Sequence, residues 1–171
     1  MHQMKELNQI IESLEFAQIG WVVPNIYVSV NFLSTALNIK FPEPVHMNAI
    51  DLSMKYKGQL LPGEWLTTQT FNGGTFIELV QPISGESMFH DYLAQNPLGG
   101  VQHLAYRLPV SEFENITNSL LEKDYQMISN VDHPIARMAF FDTYETLGVA
   151  TEIMGVTPEG WDAIESMKTG M

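Results

Sequence analysis

The feature that most restricts how this chain can fold is an internal repeat. The segment 17–24 (AQIGWVVP) aligns with the segment 102–109 (QHLAYRLP), and the two match in character at nearly every position. In this alignment Gln18 falls on His103. The distance between the copies is too long for a solenoid repeat, so the alignment indicates a duplicated module.

The ends of the two copies match as well. The segment 76–80 (FIELV) aligns with 150–154 (ATEIM), and Glu78 falls on Glu152. Each copy therefore begins and ends with an apolar segment that carries one polar side chain. Apolar segments of this length, rich in β-branched and aromatic residues, are typical of strands.

Between these ends the hydrophobic pattern predicts the same order of elements in both copies: a strand, a helix and three strands. In the first copy they are 16–23, a helix over 27–38, then 46–57, 65–71 and 75–81; in the second they are 101–108, a helix over 110–123 with Ser111 as its N-cap, then 125–130, 136–142 and 148–154. We therefore expect an α+β fold of two tandem βαβββ modules.

The modules are predicted to belong to one domain over residues 1–171. The first spans about 16–82 and the second about 100–155, with a connector over 83–99 that contains a short helix from Ser87 to Ala94. Helical spacing also predicts terminal helices over 2–15 and 158–168.

Composition excludes several functions. The net charge is −12 with only eight Lys and Arg residues, too few for a nucleic-acid surface or for binding an anionic membrane. There is no cysteine, which excludes disulfides and thiolate metal sites. The apolar runs are too short to span a bilayer, and the N-terminus does not resemble a secretory signal. We expect a cytoplasmic protein, with a homodimer possible.

The four polar side chains of the repeat point to a metal. By the two-residue period of a strand, Gln18, Glu78, His103 and Glu152 share faces with small or apolar residues, so they should point inward. Buried carboxylates are costly unless paired or bound to a cation, and two of them together repel. A divalent ion between them removes this conflict.

The predicted ligand set has one imidazole nitrogen, one amide oxygen and two carboxylates. It suits one divalent ion such as Zn, Ni, Co, Mn or Mg, with further positions open to water or substrate. The plain structural alternative is that His103 is an ordinary hydrogen-bonded histidine and that both glutamates lie at solvated strand ends. The coincidence of all four at repeat-equivalent positions favours the metal site.

The segments AQIGWVV, FIELVQP, GGVQHLAYRL and FFDTYETLGVATEIM, in this order, resemble the vicinal oxygen chelate superfamily. This superfamily includes glyoxalase I, methylmalonyl-CoA epimerase, extradiol dioxygenases and bleomycin-resistance proteins. The resemblance covers about residues 16–155. It implies paired βαβββ modules in a half-open curved sheet around the metal, with Gln18, Glu78, His103 and Glu152 as ligands.

The resemblance has two aspects that point to different members. The segment from Glu78 to Leu108 is most similar to methylmalonyl-CoA epimerase and its glyoxalase-like relatives. The ligand order Gln, Glu, His, Glu instead resembles glyoxalase I of eukaryotes, because an epimerase usually has His at the position of Gln18 and Gln at that of Glu78.

If the chain is an enzyme, the resemblance implies proton removal next to a carbonyl through a metal-stabilised enediolate, in an isomerase, epimerase or lyase. We favour Glu152 as the base, with Glu78 as the second candidate. Asp51, on the predicted strand 46–57, is a third carboxylate that could face the site, and a solvated strand-edge residue is an equal alternative for it.

Other residues are candidates for contact with substrate, a small oxo compound or thioester. Arg107 shares the inward face with His103, and Arg137 lies at a strand start where relatives contact substrate, although a surface ion pair is the alternative for Arg137. Phe76 and Met154, together with Met54, could form an apolar pocket wall. Glutathione and coenzyme A both need several cations, which the chain lacks.

The sequence also allows two other functions. The first is a binding protein of the antibiotic-resistance type, which sequesters a small molecule without chemistry. The second is an extradiol dioxygenase, which wants two histidines and one carboxylate around iron. Gln18 stands at the first histidine's position, which disfavours the dioxygenase.

Overall fold

The computed structural model describes residues 14–169, and its nine strands form one sheet with the order β2-β4-β5-β1-β6-β9-β8-β7-β3. The strands are β1 (Glu15–Val22), β2 (Val45–Asn48), β3 (Lys55–Tyr56), β4 (Gly63–Asn72), β5 (Thr75–Gly85), β6 (Gly100–Pro109), β7 (Met127–His133), β8 (Ala136–Phe141) and β9 (Ala150–Val156). The helices are α1 (Ile26–Ala36), α2 (Met88–Gln95), α3 (Phe113–Leu121), α4 (Tyr144–Leu147) and α5 (Pro158–Thr169).

The sheet confirms the two predicted βαβββ modules. Within each module the first strand pairs in parallel with the last, β1 with β5 and β6 with β9. The two first strands, β1 and β6, pair antiparallel with each other and join the modules. The result is the expected curved half-barrel, in which both repeat copies contribute equivalent strands to the centre.

Several boundaries differ from those predicted. The single strand 46–57 is wrong: it divides into β2 and β3, because the side chain of Asn48 accepts from Ile50 N at 2.8 Å and turns the chain, and Ser53 has a φ of 52°. Ser111 is not an N-cap, because a 3₁₀ turn over Val110–Glu112 precedes α3. Ser87 does cap α2, accepting from Phe89 N at 3.2 Å.

The predicted helix 2–15 falls outside the described residues except for its last two positions. Of these, Glu15 already belongs to β1. The C-terminal helix is confirmed as α5, and the Thr157 hydroxyl accepts from Gly160 N at 3.1 Å at its start. No described helix reaches the length and apolar character that a membrane span requires.

The inner face of the sheet is filled at both ends and polar in the middle. At one end α2 and the 49–56 segment pack on Val22, Trp65 and Val80. At the other end α5 packs on Phe76 and Val156. On the outer face, α1 covers Leu79, and α3 covers Phe141 and Ile153. The polar middle is where the predicted ligands lie.

Candidate metal centre

His103 is the centre of the polar cluster. The imidazole is 1% exposed and is flanked by the rings of Phe89 and Phe140, with ring centroids 6.4 and 5.4 Å away. Its Nε2 lies 3.3 Å from Gln18 Nε2, 3.3 Å from Glu78 Oε2 and 3.4 Å from Glu152 Oε2. The four side chains singled out from the repeat therefore meet at one place.

The register of the strands explains this convergence. In the β1–β6 ladder Gly20 is opposite His103 and Ala105 is opposite Gln18. In the two parallel ladders Gly20 is also beside Glu78, and Ala105 is beside Glu152. Each polar side chain thus has a small residue next to it, which leaves room for the polar groups above the sheet.

Gly20 is required for this packing. A Cβ atom built on Gly20 would lie 1.9 Å from His103 Cε1 and 2.1 Å from Nε2, far inside van der Waals contact. The imidazole therefore occupies the space that any other side chain at position 20 would fill. The requirement is steric.

Gln18 and Glu78 are linked to each other. Gln18 Nε2 donates to Glu78 Oε2 at 2.9 Å, and the hydroxyl of Thr67, on the neighbouring strand β4, donates to Glu78 Oε1 at 3.0 Å. Both carboxylate oxygens of Glu78 therefore have donors. This side of the cluster is well satisfied.

Glu152 is the poorly satisfied member. It is 2% exposed, and its Oε2 has no hydrogen-bond partner among residues 14–169. Burial raises the pKa of the Glu152 carboxyl to about 7, and the charge of Glu78 adds to the rise while His103 opposes it. An unpartnered carboxylate oxygen at such depth is unusual and calls for a cation or a proton.

The pKa of His103 is raised as well, but for a different reason. Burial alone would lower the pKa of His103, but hydrogen bonding to Glu78 and the charges of Glu152 and Glu78 outweigh it and raise the pKa. Nε2 therefore stands in a field that attracts positive charge. A proton or a metal ion at this nitrogen would satisfy both carboxylates.

The cluster fits a divalent ion in its spacing. Ligand atoms at adjacent corners of an octahedron with bonds of about 2.1 Å lie about 3 Å apart, close to the 2.9–3.4 Å between these atoms. The orphaned Glu152 oxygen and the nitrogen–oxygen donor set agree with such an ion. The residues present therefore fit the metal that the resemblance implies.

The arrangement is not that of an assembled metal site. Within residues 14–169 no group of three or more His, Asp or Glu side chains is arranged to hold a metal ion as it stands. Gln18 also faces the cluster with its amide nitrogen, which points at Glu78 and His103. A metal would need the amide oxygen there, so the terminal amide must turn over for Gln18 to bind.

A pocket of about 800 Å³ opens beside the cluster. Gln18, Glu78 and Glu152 lie in its wall, whereas His103 lies beneath it. The rest of the wall is largely apolar and includes Phe41, Pro42, Val45, Met47, Phe71, Phe76, Met138, Met154 and Met167. The structure thus places Phe76 and Met154 in the pocket wall, while Met54 is in the α2 core instead.

Arg107 has the predicted inward orientation but is already engaged. Its Nη2 contacts Glu15 Oε1 at 2.5 Å, and its guanidinium lies over the ring of Trp161 in α5 at 5.4 Å. It is 2% exposed and is absent from the wall of the pocket. The pairing with Glu15 therefore takes the place of the expected contact with an anionic substrate group.

Arg137 and Asp51 also lie away from the pocket. Arg137 pairs with Asp132 and Glu114 and lies over the ring of Phe113, on the outer side of the sheet. Asp51 is exposed in the turn between β2 and β3, so its placement on a strand facing the site is wrong. The surface alternatives that the sequence allowed for these two residues describe them better.

The sequence interpretation missed two residues next to the cluster. Thr67 holds Glu78, and the Gln102 Oε1 lies 2.8 Å from His103 Nδ1. Gln102 is 0% exposed. Neighbouring side chains of a strand point to opposite faces, so the strand period does not predict a contact between Gln102 and His103. Its position beside His103 was the available signal.

Paired βαβββ modules that join through their first strands into a curved half-barrel define the class of fold. It is a glyoxalase-like fold, and solved structures of methylmalonyl-CoA epimerase share it. The epimerase from Mycobacterium tuberculosis superposes with a TM-score of 0.60 at 17% identity, covering 85% of this chain and 89% of that chain.

Two further solved structures are similar. A hypothetical protein from Bacillus halodurans C-125 has a TM-score of 0.57 at 23% identity, covering 84% of this chain and 94% of that chain. A methylmalonyl-CoA epimerase in complex with methylmalonyl-CoA and ammonium has a TM-score of 0.56 at 16% identity, covering 83% and 94%. No family model and no curated protein sequence matches the chain.

Proposed function

We propose that this protein is a divalent-metal-dependent isomerase or epimerase that removes and returns a proton next to a substrate carbonyl. The observation that carries the proposal is the buried Glu152 carboxylate, which has an unpartnered oxygen among the described residues and faces a pocket. A structural carboxylate would be hydrogen-bonded. An unsatisfied one beside a cavity is suited to chemistry.

The metal would be held by Gln18, Glu78, His103 and Glu152. When bound, a divalent ion supplies positive charge that polarises a substrate carbonyl. The four side chains have their own tasks: His103 and Glu78 are fixed by neighbours, Gln18 bridges them, and Glu152 keeps an oxygen available. The oxygen-rich set is suited to Zn, Ni, Co, Mn or Mg.

Glu152 is the better candidate for the base. Both oxygens of Glu78 already accept hydrogen bonds, from Gln18 and Thr67, whereas Glu152 Oε2 has none within the described part of the chain. Burial raises the pKa of the Glu152 carboxyl to about 7 in the protein without metal, and a carboxylate that keeps an oxygen without a partner in the described residues is the group suited to take a proton and return it. Glu152 would therefore transfer the proton, and Glu78 would remain a ligand.

The pocket favours an apolar substrate portion. Methionine and phenylalanine side chains form much of the wall and can adapt to an acyl or alkyl group. Among residues 14–169, Lys40 is the single cation in the wall. We infer that a small oxo compound or the acyl end of a thioester enters the pocket, and that any large anionic carrier stays outside it.

The test is proton exchange with solvent. Protein stripped of metal with a chelator and protein reloaded separately with Zn²⁺, Ni²⁺, Co²⁺ and Mn²⁺ are incubated in D₂O with methylmalonyl-CoA, and separately with the hemithioacetal of methylglyoxal and glutathione. We expect deuterium incorporation only with metal, and a loss of about 10²–10⁴-fold in Glu152→Gln. Glu159→Gln, on the exposed surface of α5, is the matched control.

Equal exchange in stripped and reloaded protein would contradict the proposal. So would full exchange in Glu152→Gln. If the stripped protein instead binds a flat aromatic ligand tightly and no metal restores exchange, the sequestering alternative is favoured. Release of a yellow product from catechol with Fe²⁺ would support the dioxygenase. The homodimer and the cytoplasmic location are separate predictions.

A further inference from the structure

The buried Gln102 contacts both the centre and the protein around it. Its Oε1 lies 2.8 Å from His103 Nδ1, and its Nε2 donates to the hydroxyl of Tyr144 at 2.7 Å. Gln102 is 0% exposed, and Tyr144 lies on α4, the short helix between β8 and β9. The three side chains form a chain of hydrogen bonds that ends at the proposed metal-binding ring.

The chemistry of each end fixes the direction of these bonds. An amide has one accepting end and one donating end. The Gln102 oxygen faces Nδ1, so this nitrogen has to carry a proton, and Nε2 is left to face Glu78 and Glu152. Reversing the amide would require an unprotonated Nδ1 and would put the ring's proton on Nε2.

The carboxylates select the first arrangement. Two of them lie within 3.4 Å of Nε2 and attract either a proton or a metal ion to it. Whenever Nε2 holds a metal ion, Nδ1 must be N–H, and the same is true when the ring is doubly protonated. Gln102 Oε1 accepts that N–H in both states, and no other described residue hydrogen-bonds Nδ1.

Tyr144 holds the amide in this orientation. Its hydroxyl accepts from Gln102 Nε2, and its ring stacks on Tyr92 with centroids 6.5 Å apart. Burial raises the pKa of Tyr144 to about 12, so the phenol stays neutral. Tyr144 therefore fixes the outer end of the Gln102 side chain, while the carboxylates at Nε2 select which end of the amide faces Nδ1.

We propose that Gln102, held by Tyr144, is a positioning residue that sets the tautomer and the plane of His103 so that Nε2 is the metal-binding nitrogen. This inference rests on the proposed function and concerns the same site. Second partners of this kind raise ligand basicity, and their loss typically lowers metal affinity by 10–100-fold.

The test separates the accepting role of Gln102 from packing. Gln102→Met keeps the side-chain length but has no acceptor, whereas Gln102→Glu keeps an acceptor at the same reach. We expect Zn²⁺ affinity, measured by competition with a chromophoric chelator, to fall about 10–100-fold in Gln102→Met. Gln102→Glu should stay within about threefold of the parent protein, which is the rescue that a purely steric role would not give.

A second measurement, by NMR spectroscopy, tests the role of Gln102 without any metal. Long-range ¹H–¹⁵N spectra of ¹⁵N-histidine-labelled protein report the protonation of each ring nitrogen. We expect an Nδ1–H for His103 in the parent protein and in Gln102→Glu, and a mixture of tautomers in Gln102→Met. Tyr144→Phe, a milder change at the outer end, should show a partial shift and an affinity loss of about two- to fivefold.

Gln81→Met is the matched control, because Gln81 accepts from Ile26 N at 2.8 Å at the start of α1 and makes a comparable buried hydrogen bond elsewhere. It should leave Zn²⁺ affinity unchanged. The inference is overturned if Gln102→Met, folded by circular dichroism, keeps the parent affinity and the parent Nδ1–H signal. If the parent protein binds no metal, the proposed function fails, and the spectra alone still decide the role of Gln102.

Discussion

Strand β6 carries two buried charged clusters on the same face, and they differ in how well their charges are balanced. At Arg107 the guanidinium contacts Glu15 and lies over Trp161, under the cover of α5. At His103 two carboxylates converge on one nitrogen, and Glu152 keeps an oxygen with no partner in residues 14–169. Only the second cluster borders the pocket.

The difference is between a charge that is balanced within the fold and a charge that is left for a cation to balance. Opposite charges at Arg107 and Glu15 neutralise each other, although Arg107 Nε has no hydrogen-bond partner among the described residues. At the His103 centre two like charges share one imidazole, which costs free energy unless a cation is added. We therefore expect neutralising a carboxylate to stabilise the metal-free protein at the His103 centre and to destabilise the protein at Arg107. Changes at Arg107 should leave metal binding unaffected.

The largest effect is expected from Gly20→Ala. The added Cβ would lie 1.9 Å from the His103 ring, which must move. Zn²⁺ affinity, measured by chelator competition, should fall at least about tenfold, and the free energy of unfolding should fall by about 1–3 kcal/mol.

Gly155→Ala is the control for that substitution. Its Cβ would lie 2.7 Å from Phe113 Cβ and 2.9 Å from the nearest ring atoms of Phe113, on the outer side of the sheet. It should lower stability while leaving Zn²⁺ affinity intact. Equal metal affinity in the two glycine variants would show that the imidazole does not need the space at Gly20.

Glu152→Gln should stabilise the metal-free protein. It removes a buried carboxylate whose oxygen lacks a partner within the described residues and which lies near Glu78. The free energy of unfolding in urea at pH 8 with a chelator present should rise by about 1–3 kcal/mol. A decrease in the free energy of unfolding would mean that the charge of Glu152 is already balanced in the metal-free protein, as the charge of Arg107 is.

Glu15→Gln should have the opposite sign and a smaller size. Arg107 would stay buried but lose its ionic partner, while Glu15 itself is about half exposed. We expect the free energy of unfolding to fall by about 0.5–1 kcal/mol. Zn²⁺ affinity should not change; a loss of metal binding here would show that the Arg107 cluster supports the centre.

The smallest effect is a change in acid stability. Hydrogen bonding to Arg107 lowers the pKa of Glu15 below its usual 4.5. The folded protein thus binds this proton less readily than the unfolded chain, and the contribution is present above about pH 4.5 and lost as pH falls through the folded pKa.

Urea unfolding of the parent protein and Glu15→Gln between pH 3 and 6 checks this sign. The two stability curves should be separated at pH 6 and converge towards pH 3. A constant separation would mean that the pair contributes by packing alone. The parent protein and Glu152→Gln, compared under the same conditions with a chelator, should also converge on acidification but with the opposite sign, because the raised pKa of Glu152 destabilises the parent protein only above the pKa of the unfolded chain.

The repeat predicted the architecture and the convergence of four side chains because both follow from strand period and module symmetry. With Gln18 aligned on His103 and Glu78 on Glu152, the antiparallel pair β1–β6 and the parallel pairs β1–β5 and β6–β9 bring the four side chains together. Their role as metal ligands stays a prediction. The period of a strand is a local property, and a sequence displays it directly.

The remaining differences depend on contacts that no local pattern shows. Asp51 was placed on a strand because the turn made by Asn48 cannot be told from a strand end in the sequence. The strand period predicts that Arg107 faces inward with His103, but no local pattern links it to Glu15, 92 positions earlier. Gln102 was overlooked because its partner Tyr144 is distant in the sequence. Each depends on tertiary proximity.

The short strand β3 has a consequence for how the two halves stay together. It belongs to the first half, yet it pairs with β7 at the far edge of the second, and Ser129 donates to Lys55 O at 2.7 Å. Two antiparallel strand pairs, β1–β6 and β3–β7, therefore hold the halves together. An exchange of halves with another copy of the chain would have to open both of these strand pairs, so we expect the four clustered side chains to come from one polypeptide.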